Sequence, residues 1–128
     1  MLECDYFDFK DALIDDLKLT NKDNSILITF SIEDNFCSIT SLKIDRDGNK
    51  TSLRSKEFLY NKQFKNSLLE PFLKDYVENC NVVSYDITDD SCDKAVCRII
   101  NDTNDMLVIE NISLEYVNNL YESVFYGI

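Results

Sequence analysis

Along the chain a helical spacing of apolar residues gives way to strict alternation, and this happens twice in the same order. Phe9, Ala12, Leu13 and Leu17 recur on one face of a 3.6-residue period. They predict a first helix over residues 9–19, with Asp8 as its cap and Asp11 in the place of a capping-box acid. Ile26, Ile28, Phe30 and Ile32 then alternate with Leu27, Thr29, Ser31 and Glu33, which predicts a strand over 25–33. Asp34-Asn35 leads tightly into a second strand over 36–45, and Asp45-Arg46-Asp47-Gly48-Asn49 turns the chain into a short third strand at about 51–54. Connections this short require antiparallel neighbours.

The second cycle places Leu68, Leu69, Phe72, Leu73, Tyr76 and Val77 on a helix within 67–79. Pro71 lacks a donor and disfavours helical geometry at Glu70, so the regular helix is expected to begin at Pro71. Strands are predicted over 81–88, 94–101 and 106–111. A C-terminal helix over about 113–126 carries Leu114, Val117, Leu120, Tyr121, Val124 and Phe125 on one stripe.

The two cycles superimpose at a fixed shift of 55 residues without a gap. Phe9-Lys10 lies over Phe64-Lys65, Phe30 over Tyr85, Cys37 over Cys92 and Ile44 over Ile99; ten of the 46 pairs from 9 to 54 are identical. Apolar positions also match in phase. The reading is an α+β fold made by tandem duplication of an α-β-β-β unit, with pseudo-repeats at about 6–56 and 60–111 and a C-terminal helix, in the order α-βββ-α-βββ-α. The two meanders are expected to join edge to edge, with pseudo-twofold symmetry, into one antiparallel sheet of about six strands with helices mainly on one face. The 128 residues form one domain.

Composition narrows the class. With 45% apolar residues, two Gly and one Pro, disorder, collagen and low-complexity classes are excluded, and no apolar run reaches the length of a membrane span. Five cysteines form no CxxC pair, and the opening Met1-Leu2-Glu3 has no basic region leading into an apolar stretch. A reducing cytoplasmic setting is expected, with the thiols acting as small hydrophobes. Abundant Ile, Asn, Lys and Asp beside scarce Ala, Gly and Pro suggest an AT-rich bacterial or phage genome.

Histidine is absent, which excludes Ser-His-acid and Cys-His catalysis and His-dependent zinc sites. Gly48 and Gly127 are the only glycines, so no phosphate-cradling loop exists. Asp45, Asp47 and Asn49 have the spacing that opens a calcium loop, but Lys50 and Lys56 stand at its sixth and twelfth positions, and a hairpin turn is expected. The expectation is a non-enzymatic protein with no cofactor and no metal.

Charge then decides the kind of partner. The net charge is −11, unevenly spread. Residues 43–74 hold eight cations and four carboxylates, including Lys43, Arg46, Lys50, Arg54, Lys56, Lys62 and Lys65, whereas 75–128 hold eleven carboxylates and two cations. Such a chain repels nucleic acid and anionic membranes. The candidate partner-binding surface is Asp86, Asp89, Asp90, Asp93, Asp102 and Asp105, which would steer a basic protein partner. Two alternatives stand beside this. One is an acidic inhibitor or immunity-type protein that mimics nucleic acid in bacterial or phage defence. The other is a homo-oligomeric structural or regulatory domain, such as a homodimer formed through an edge strand at 51–54 or 106–111.

Overall fold

The computed structural model describes residues 6–91 and 94–125. Its elements are α1 (Tyr6–Leu17), β1 (Asn24–Glu33), β2 (Phe36–Asp45), β3 (Lys50–Leu59), α2 (Lys62–Phe64), a π-helical segment (Lys65–Leu69), α3 (Glu70–Asn79), β4 (Val82–Ser91), β5 (Lys94–Asn101), β6 (Met106–Ser113) and α4 (Leu114–Phe125). The six strands form one sheet in the order β3-β2-β1-β6-β5-β4.

Local chemistry accounts for most boundaries. β1 and β2 join through the two-residue link Asp34-Asn35, since Glu33 pairs with Phe36, and Asp34 takes the left-handed conformation (φ 54°) that Asp tolerates. Between β2 and β3, Asp45 accepts the backbone N–H groups of Asp47 and Asn49 at 2.9 Å each, while Gly48 supplies φ 87°. These hydrogen bonds hold the Asp45 carboxyl below the usual carboxylate range, the Asn49 N–H contributing most. Asp45 therefore works as the clasp of a hairpin.

Three elements differ from the sequence pattern. The first helix is already formed at Tyr6 and ends at Leu17, so Asp8 stands within its first turn and not at the cap position. The second helix starts at Lys62, because the Asn61 side chain accepts the Phe64 N–H at 2.8 Å and caps it. Ahead of Pro71 the turns widen, with the Glu70 N–H bonding Lys65 O five residues back. This π-helical spacing accommodates the proline, and the stretch continues as α3 without a break. β3 runs ten residues instead of four. As an edge strand it is solvated along most of its length, so its apolar signal reduces to half-buried Leu53 and buried Phe58. Opposite Ser41 and Leu42 of its partner, β3 carries one extra residue, Leu53, a bulge that shifts the register.

The two three-stranded units meet at β1 and β6, which run parallel from Leu27 opposite Met106 to Ser31 opposite Glu110. All other pairings are antiparallel. This corrects the expectation of pseudo-twofold symmetry. A twofold would place β1 beside β4 or β3 beside β6, whereas the first strand of one unit lies beside the third strand of the other, so the units are offset sideways. Of the two expected edges, 51–54 lies in β3, which is open, whereas 106–111 lies in β6, which is interior; the other open edge is β4.

The core lies on the face that carries Ile26, Ile28, Phe30 and Ile32 of β1, Cys37 and Ile39 of β2, Cys97 and Ile99 of β5 and Leu107 and Ile109 of β6. Helix side chains meet it there. Phe72 packs on Phe30 with ring centroids 5.6 Å apart, and Phe9 on Phe58 at 5.1 Å. Each fully buried ring contributes about 2 to 3 kcal/mol of transfer free energy, an upper figure because the unfolded chain already hides some of it. Two polar ties fix the helices. Tyr76, fully buried on α3, places its hydroxyl 3.2 Å from Ile99 O and 3.1 Å from Asp105 O. Asp16 of α1 receives Ser41 Oγ at 2.7 Å and both arms of Arg54 at 2.9 and 3.1 Å. Val117 of α4 is buried; the side chains of Leu120, Tyr121, Val124 and Phe125 lie outside those described.

The 55-residue correspondence holds in element order but breaks in register. Phe30 and Tyr85 share the core face, since Tyr85 pairs with Ile99, Ile99 with Leu107 and Leu107 with Ile28. Ile44 pairs with Ser25, out of phase with Ile26, so Ile44 and Ile99 point to opposite faces. The hairpins are the cause. Phe30 faces Ile39, nine residues on, but Tyr85 faces Ile99, fourteen on, and an odd difference inverts the alternation of every later residue.

Candidate interaction surface

β4 is an outer strand with β5 on one side only, so half of its backbone donors and acceptors have no strand partner. It carries Asp86, Asp89 and Asp90 and no cation. Asp86 is exposed on the side of the sheet away from the core, and its ion pair with Arg98 of the neighbouring strand is long, 3.7 Å to Nη1. Exposed at this distance the pair contributes well under 1 kcal/mol, so Asp86 stays available. Val83, at 62% exposure, gives the same strand an open apolar side chain.

The six acidic positions singled out in the sequence do not form one patch. Asp86, Asp89 and Asp90 share β4, with the side chains of Asp89 and Asp90 outside those described, and Asp93 lies outside the described residues altogether. Asp102 is exposed in the β5–β6 turn, where it accepts Asn81 Nδ2 at 3.2 Å. Asp105 must be withdrawn from the surface set. It is 2% exposed and accepts Thr20 Oγ1 at 2.6 Å and the Ile26 N–H at 2.8 Å on one oxygen, with Thr103 Oγ1 at 3.2 Å and Asn101 Nδ2 at 3.4 Å on the other. The pattern of charge could not distinguish a solvated carboxylate from one that ties strand ends together.

Next to Asp105 a cleft of about 710 Å³ opens between the C-terminal ends of α1 and α3 and the β5–β6 turn. Cys80 lies in it half-buried, and burial is the main cause that pushes its thiol up, with Asp105 and Asp102 adding to it against a hydrogen bond from Asn101. Burial thus disfavours the Cys80 thiolate, and the Asp105 carboxylate beside it is already engaged by four donors. Among the described residues no group of three or more Cys, Asp or Glu side chains is placed to hold a metal. Also among them, no helix is long and apolar enough to cross a membrane.

The opposite edge has the opposite sign. β3 carries Lys50, Arg54, Lys56 and Glu57. Lys56 and Lys50 are exposed, with Lys56 Nζ 5.1 Å from the Phe58 ring centroid, while Arg54 is committed to Asp16. The segregation of charge along the chain was readable in the sequence; that it falls on the two free edges of one sheet depends on the strand order. Comparison of the chain with protein-family models, with curated proteins and with solved structures finds no match.

Proposed function

We propose that the chain is a non-enzymatic protein-binding module whose recognition element is β4, where a basic partner adds an extended segment to the sheet. The single observation that carries this reading is the coincidence, on one strand, of an unpaired backbone edge with three carboxylates and no cation. Main-chain hydrogen bonds supply affinity in strand addition, and side-chain charge supplies selection and steering. In this reading the two α-βββ units descend from a tandem duplication whose hairpins have since diverged in length. Their helices gather on the Phe30 face and leave the edges free. Buried free thiols at Cys37 and Cys97 fit a reducing cytoplasmic setting.

The test is affinity capture on the immobilised chain, compared with a D86K/D90K variant at about 50 mM and about 300 mM salt, where the screening length falls to several ångströms. Partners retained at low salt by the parent chain, and lost both in the variant and at high salt, support the reading. Partners held equally by both proteins at both salts contradict it.

A further inference from the structure

We propose that the segment accepted by β4 is β3 of a second copy of the same chain, so that the sheet continues head to tail from molecule to molecule. This rests on reading β4 as the recognition edge and names its partner.

The seam inside the molecule already shows how two α-βββ units join. β1, the first strand of its unit, lies parallel to β6, the third strand of the other. The free edges form the same pair: β4 is the first strand of the second unit and β3 the third strand of the first. Their directions agree as well. β3 is antiparallel to β2, which is antiparallel to β1, while β4 is antiparallel to β5, which is antiparallel to β6; with β1 and β6 parallel, β3 and β4 run the same way. A copy displaced sideways in the plane of the sheet therefore offers β3 to β4 in the parallel sense of the existing seam, with its core face on the same side.

Charge selects this pairing over its competitors. With Arg54 neutralised by Asp16, β3 holds the exposed Lys50 and Lys56 against one carboxylate, Glu57, and β4 holds three carboxylates and no cation. A β3–β4 contact sets opposite charges along ten-residue strands, whereas β3–β3 or β4–β4 contacts set like charges together. The edges are thus protected against their twins and open to each other. Because the contact uses two different surfaces, it is heterologous, and it builds chains or closed rings in place of a twofold dimer.

Sedimentation velocity of the full chain from about 1 to about 500 µM, at about 50 mM and about 300 mM NaCl, reads this directly. The expected result is a mean mass that rises with concentration past the dimer, with association weakened at least about tenfold at the higher salt. Two variants, K50E/K56E on β3 and D86K/D90K on β4, should each lose association by a similar factor. Their equimolar mixture should regain it, since each then meets an edge of opposite sign; a misfolded variant could not be rescued in this way. A monomer at every concentration overturns the proposal, as does association that the β4 variant leaves intact, which would mark a β3–β3 twin contact. If the parent chain is monomeric while capture of a basic partner still depends on Asp86 and Asp90, the self-association falls and the β4 reading stands. If that capture is also indifferent to them, both fall.

Discussion

Asp105 Oδ1 accepts the backbone N–H of Ile26 at 2.8 Å, so the carboxylate just ahead of β6 holds the first fully buried residue of β1, the strand parallel to it. Thr20 adds a 2.6 Å bond to the same oxygen from the turn after α1. One buried side chain therefore joins the two α-βββ units at the start of their common seam.

Removing that acceptor should destabilise the fold substantially. D105A leaves the buried Ile26 N–H without a partner and is expected to lose about 2 to 4 kcal/mol of unfolding free energy. D105N keeps an acceptor for it and should recover roughly half of the loss. Urea denaturation of the three proteins checks this; equal stabilities would show that the seam does not depend on Asp105.

Arg54 and Asp16 tie the edge strand to α1 through two bonds of 2.9 and 3.1 Å. The Asp16 side chain is 7% exposed and that of Arg54 34%, so solvent screens the pair in part. R54M should cost about 2 kcal/mol, less than for a fully buried pair, because it leaves the Asp16 carboxyl with Ser41 as its partner. In a D16N background the same change should cost under about 0.5 kcal/mol. A thermodynamic cycle from chemical denaturation measures the difference, and equal costs in both backgrounds would mean that the two residues are not coupled.

The boundary between what could be read in the chain and what could not follows from the physics of each part. Alternation at Ile26, Ile28, Phe30 and Ile32 reflects one-sided burial, and it located β1 to within a residue. Strand composition is local information. The sideways offset of the units, by contrast, depends on which edges meet, and no residue in β1 or β6 announces a parallel neighbour. Six of the ten residues of β3 were missed, because Ser55, Lys56 and Glu57 are exposed and look like a loop. The repeat alignment placed Phe30 and Tyr85 on one face, yet lost phase at the second hairpin, whose extra length an ungapped comparison cannot register. Of the acidic set, Asp86 is exposed and Asp105 is buried, and the sequence carries no signal that separates them, since burial is a tertiary property.

Burial pushes the Cys37 thiol up to about 12, and the Tyr60 hydroxyl likewise to about 12, with burial again the main cause. Both groups are more easily ionised when unfolded, so the stability they hold is fully present below about pH 8.5, the ordinary thiol value, and is lost as pH rises toward 12. Unfolding free energy from urea titrations should fall steadily from pH 9 to pH 11, and fall less in C37A. At pH 8 the native protein should alkylate at Cys80, which is half-buried, before Cys37 or Cys97, which are buried. Peptide mass spectrometry after a short iodoacetamide exposure checks the order, and early modification of Cys37 would contradict it.

Amide hydrogen exchange on the chain, free and with a partner bound, tests the β4 assignment at the level of single strands. Protection gained over residues 82–91, with the amides of interior β6 unchanged, is the result expected when an incoming strand completes the sheet. Protection gained on the helices or on the open sheet face, with 82–91 exchanging as before, would show that the partner is recognised elsewhere.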